Sequence, residues 1–193
     1  MEHMVLKPQD VYVALKIASS KSDRAPYAQL AAELFMSPSE VHASVQRAQE
    51  AHLLHSGQLK NRPNFAALEE FLVHGLKYAF PATRGGPLRG LPTSYAAEPL
   101  LSMIAPDPVP VWPTSEGKQR GMAFEPLHRG APQAALHDPV FYEYLILADA
   151  LRDGRIRERK LAASELHRRF REPNVQSKSE ATDCRRAALA AVA

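Results

Sequence analysis

Ser39, His42, Gln46 and Arg47 stand close together in the stretch "SPSEVHASVQRAQE" (37–50). Serine and glutamine side chains bond base edges or phosphates, and arginine pairs with guanine. Lys60 and Arg62, a little further on, carry charge that can neutralise phosphates. Residue types suited to catalysis have no comparable grouping. No Gly-x-Ser-x-Gly elbow occurs. The single cysteine, Cys184, lies in a polar tail without the electropositive setting of a reactive thiolate. None of the eight histidines forms a His-x-x-x-His pair on a predicted helix, so no metal ligands are expected. "RGGPLRG" (84–90) lacks the strand–loop–helix setting and the Lys-Ser/Thr ending of a phosphate-binding loop, and reads as a turn. The sequence therefore predicts no enzyme, no cofactor and no metal.

The elements that would position the polar set are short helices. Pro8 opens a first helix to about Ser19, since proline suits a first turn whose N–H has no partner. Val11, Leu15 and Ala18 fall on its apolar face. Pro26 opens a second helix with a stripe of Leu30, Ala31 and Leu34. "FMS" (35–37) makes the turn into a third. There Ser37 and Glu40 form a capping box around Pro38, each side chain serving the other's backbone N–H. Val41, Val45 and Ala48 face inward, leaving Ser39, His42, Ala43, Gln46 and Arg47 outward. A helix-turn-helix needs these features: small residues at the helix crossing, a tight turn, and a polar outer face on the second helix.

Residues 6–54 resemble the winged helix-turn-helix domain of bacterial transcriptional regulators. The likeness rests on "YAQLAAELFMSPSEVHASVQRAQEAHLL" (27–54): an "LA" helix, a turn, "SPSEV", a polar face, then "LL" into a wing. The resemblance implies that Ser37 caps the recognition helix and that Ser39, His42, Gln46 and Arg47 face DNA. Lys60 and Arg62 would touch phosphates from the wing. Ala43 and Gln46 depart from the pattern, because many such regulators carry Arg or Lys there. Arg47 is the one full cation on the helix, against Glu40 and Glu50.

The 193 residues, 45% hydrophobic and 23% charged, allow a core without disulfides. No stretch approaches the roughly 20 apolar residues of a membrane span, and a cytoplasmic setting is expected. The net charge of +3 is unevenly placed: residues 145–193 hold 11 Lys/Arg against 7 Asp/Glu, an excess the first 65 residues lack. Eleven of the 16 prolines lie in 81–139, which excludes long helices there. Helix returns over 138–154, with Asp138 as its N-cap and Pro139 at its first position, and over 155–172. "RIRERK" and "HRRFR" in the latter read either as a phosphate-contacting surface or as a solvated face with ion pairs to Glu158 and Glu165.

The expected fold is mainly α. A winged helix-turn-helix occupies 1–80, a proline-rich linker or wrapping segment 81–137, a C-terminal helical hairpin 138–172 and a flexible tail 173–193. Tyr142, Leu145, Ile146 and Leu151 offer more apolar surface than one helix needs, predicting a homodimer or a protein partner. The function expected is that of a regulator binding specific double-stranded DNA as a dimer. On this reading Arg47→Ala weakens DNA binding and leaves the fold intact. The alternative is an antitoxin or adaptor that binds a partner protein through its C-terminal two-thirds.

Overall fold

A computed structural model of the chain describes residues 5–20, 26–57, 61–104 and 108–171. Lys60, Cys184 and the tail 173–193 lie outside them. Three helices come first: α1 (Pro8–Ser19), α2 (Tyr27–Leu34) and α3 (Pro38–Glu50). Both α2 and α3 end in a left-handed residue, Phe35 (φ 54°) and His52 (φ 58°). The next N–H then turns back on the helix, Met36 to the Ala31 carbonyl at 3.0 Å and Leu53 to the Ala48 carbonyl at 2.9 Å. This is the Schellman ending, in which glycine is the usual residue. Side chains there cost about 1–2 kcal/mol each, so packing must hold these turns. Leu30, Ala31 and Leu34 of α2 and Val41, Val45 and Ala48 of α3 supply it, buried with Val11 and Leu15 of α1.

After α3 the chain reverses. Leu54 and Pro63 form a single antiparallel bridge, and the His55 N–H donates to the Arg62 carbonyl at 2.8 Å. Helix follows as α4 (Phe65–Glu70), a π turn (Phe71–Gly75) and α5 (Leu76–Ala79).

The described residues of 81–137 include a small sheet. They contain strands β1 (Arg84–Pro92), β2 (Pro110–Pro113) and β3 (Gln119–Phe124). β1 pairs antiparallel with both others, with Leu91 opposite Trp112 and Arg89 opposite Arg120. β2 and β3 pair in parallel at Val111 and Ala123, so the three strands close on themselves. So tight a closure needs residues without side chains at the crossings. A Cβ on Gly90 would lie 2.0 Å from the Trp112 carbonyl oxygen, and one on Gly121 2.2 Å from that of Val109. Pro92, Pro110 and Pro113 stand at strand ends, where the missing donor is tolerated. "RGGPLRG", read as a turn from the sequence, is most of β1. A short helix, α6 (Ala131–His137), follows and was not predicted.

The hairpin predicted at the C-terminal end is present as α7 (Pro139–Asp153) and α8 (Ile156–Arg171). Asp138 caps α7, its carboxylate accepting the Phe141 N–H at 2.9 Å. The described residues are thus mostly helical with one small sheet. α7 is buried almost all round, from Phe141 through Leu145, Ile146 and Leu147 to Leu151, by α1, α5, α6, α8 and a 3₁₀ turn at Ser94–Ala96. The apolar excess from which dimerisation or partner binding was predicted is therefore covered within the chain. One core runs across the expected divisions at 80/81 and 137/138. No helix among the described residues is long and apolar enough to cross a membrane.

Two buried polar clusters fasten these layers. Lys16 of α1, 4% exposed, lies 2.7 Å from both Glu33 of α2 and Asp138 at the start of α7. Burial alone would raise the Asp138 carboxyl, but the Lys16 ammonium and the Phe141 N–H outweigh it and hold it below its usual range. Asp149 of α7 accepts from Thr93 (2.8 Å), the Trp112 indole (2.7 Å) and Arg152 (2.8 Å), tying the sheet to the helix. Arg152 also donates to the Phe80 and Glu125 carbonyls.

Candidate nucleic-acid interface

α3 is the best-capped helix of the chain. The Glu40 N–H donates to the Ser37 hydroxyl at 3.2 Å, and the Ser37 N–H donates to the Glu40 carboxylate at 2.8 Å. These bonds, the backbone one foremost, hold the Glu40 carboxyl below its usual range, and Arg129 and His128 act in the same direction. The helix start is therefore fixed, with a charged loop from the far end of the chain beside it.

Ser37, Ser39, His42 and Gln46 are all exposed. Ser39, His42 and Gln46 recur at three- and four-residue spacing, which places them on one side of the helix. The His42 ring packs edge-on against Tyr27, with centroids 5.4 Å apart. Tyr27 bonds in turn to Asn61, whose side-chain oxygen also accepts from Gln49 at 3.1 Å. Asn61 has φ 68°, a left-handed conformation that asparagine tolerates better than most residues. The reverse turn after α3 is thus pinned to both α2 and α3. The sequence reading missed this pin. Its signal was an asparagine beside the basic turn. Arg62 lies exposed on that turn.

Arg47 corrects the expectation. It is 8% exposed and points into the protein, not outward. Its Nε and Nη2 donate to Asp10 of α1 at 2.8 and 2.6 Å, and Nη2 also reaches the Ser44 hydroxyl at 3.2 Å. Asp10 is wholly buried and takes the Lys7 N–H as well. The hydrogen bonds that Arg47 donates to Asp10 outweigh burial and raise the guanidinium's pKa further. A fork-to-fork pair of this kind is geometrically exacting, and it clamps α1 to α3. A phase signal was available. Each residue advances about 100° around a helix, so Arg47 stands a quarter turn from Gln46, beside the buried Ser44.

A loop from the sheet completes the surroundings. Gly130 lies so close to the turn between α2 and α3 that a Cβ there would be 2.6 Å from the Leu34 carbonyl oxygen and 3.1 Å from the Phe35 Cβ. Neighbouring His128 stacks on Tyr12 at 5.1 Å and takes the Gly130 N–H on Nδ1. Burial lowers the His128 pKa, with Arg129 acting in the same direction, so the ring is neutral near pH 7.

Chemically, the exposed side of α3 can donate and accept hydrogen bonds. With Arg47 turned inward, it presents no full positive charge. Among the described residues no group of three or more His, Cys, Asp or Glu side chains is placed to hold a metal ion. No protein-family model, curated protein or solved structure matches this chain.

Proposed function

We propose that residues 8–64 form a winged helix-turn-helix and that the protein is a sequence-specific DNA-binding transcriptional regulator. The observation that carries this reading is the capped α3, which packs through Val41, Val45 and Ala48 and leaves Ser39, His42 and Gln46 exposed on one side. A recognition helix enters the major groove by its N-terminal residues, braced by the helix before it. Glutamine reads adenine bidentately and serine suits several base edges. The Leu54–Pro63 bridge and Asn61, bonded to Tyr27, follow α3 in the chain as a wing follows a recognition helix, and Arg62 would face phosphate there. A dimer of such copies would read two half-sites about one helical turn apart; the apolar residues of α7 from Phe141 to Leu151 are covered within the chain.

Selection from a randomised duplex library tests the proposal. A defined motif should be enriched, and fluorescence anisotropy should show preference for it over a scrambled duplex. Gln46→Ala and Ser39→Ala should each reduce that preference by about 1–3 kcal/mol, or roughly 5- to 150-fold. A library that yields no motif, or preference untouched by both substitutions, would reject α3 as the reading element.

A further inference from the structure

Regulators gain most of their DNA affinity from phosphate neutralisation, and α3 offers little of it. On its outward side stand Glu40 and Glu50, and Arg47 is held by Asp10. On the proposed DNA-binding reading, the charge must come from elsewhere in the chain.

α8 sorts its charges by side. Its apolar residues Ala162, Leu166 and Phe170 are buried, Phe170 between Phe65 and Tyr144. Its acids are engaged: Glu158, 8% exposed, takes the Arg155 N–H at 2.5 Å, and Glu165 takes Arg168 at 2.6 Å and also holds Arg169. Arg159 donates to the Gly154 carbonyl and Arg169 to Glu143. The exposed positions along one side are Arg157, Lys160, Ser164, His167, Arg168 and Arg171. Their spacing of three and four residues keeps them in a single stripe. Arg157, Lys160 and Arg171 make no ion pair among the described residues, whereas Arg168 is paired with Glu165 and the neighbouring His167 with Glu69. At 1.5 Å per residue it runs about 21 Å. That is the axial length of about six phosphates on one DNA strand.

We infer that this stripe of α8 is a second DNA contact, binding the phosphate backbone of duplex DNA without regard to sequence. A membrane surface is the poorer match, because a helix lying on lipid needs a free apolar side, and that of α8 is packed against the protein.

The test is the triple variant Arg157→Gln, Lys160→Gln, Arg171→Gln in the full chain, with circular dichroism to show that it folds. Anisotropy against motif and scrambled duplexes is followed over a salt series. Losing three phosphate contacts should flatten the slope of log K against log salt by about 2.7, and weaken both duplexes alike by roughly 10²-fold at 0.1 M salt. An unchanged slope overturns the inference, whatever α3 does. A flattened slope in a protein that prefers no motif sustains the inference while rejecting sequence reading by α3. Failure of the wild-type chain to bind any duplex at low salt overturns both. Salt-sensitive binding to anionic vesicles, lost in the triple variant while duplex binding is retained, assigns the stripe to lipid and also overturns it.

Discussion

Replacing Arg47 with alanine leaves the Asp10 side chain wholly buried and short of two of its three hydrogen bonds. Removing one partner of a buried pair costs about 3–5 kcal/mol, because the other charge remains without compensation. The Lys7 N–H offsets part of that, which favours the lower half of the range. With a urea dependence of roughly 2 kcal/mol per molar, the unfolding midpoint of Arg47→Ala should fall by about 1.5–2 M. Equilibrium unfolding followed by Trp112 fluorescence and by far-ultraviolet circular dichroism measures it. The chain has one tryptophan, so the signal has one origin. The companion variant Asp10→Leu, Arg47→Met removes both charges at similar volume and should recover most of the loss, since buried pairs are often replaceable by apolar residues. DNA affinity of Arg47→Ala, measured where it remains folded, should stay within a few-fold of wild type. A midpoint shift below about 0.5 M together with a large loss of DNA affinity would refute this account and return Arg47 to the DNA-facing side.

Two further outcomes follow from the buried polar groups. His128 has a lowered pKa, so its unfolded form binds a proton more readily than its folded form. Its contribution is complete above about pH 6.5, the unperturbed value, and is lost as pH falls through the folded value. A nuclear magnetic resonance titration should place His128 below the unperturbed value of about 6.5, and His128→Phe should remove that limb of the stability profile; a His128 pKa at or above that value would contradict the burial argument. Asp149→Leu strips acceptors from Thr93, Trp112 and Arg152 together, and about 3–5 kcal/mol of destabilisation is expected for the orphaned buried arginine. Near-ultraviolet circular dichroism of Trp112 should collapse with it, and an unaltered signal would mean that the sheet is held to α7 by packing alone.

What the sequence determined by itself was local. Caps and helix starts depend on a side chain and a backbone N–H three residues away, so Ser37 with Glu40, Asp138, and the prolines opening α3 and α7 were legible. The apolar periodicity of α1 to α3 and of α7 was legible for the same reason. Only the tertiary structure decided what those faces meet. The apolar surplus of α7 marks a central helix covered by its own chain, because periodicity counts buried positions without saying what covers them. Arg47 stands 37 residues from Asp10, and nothing local announces such a pair, although its helical phase was readable. The sheet of 84–124 was hidden by its prolines and glycines, which argue for turns when read one strand at a time. They become a strand-edge and close-crossing code only once three strands are brought together.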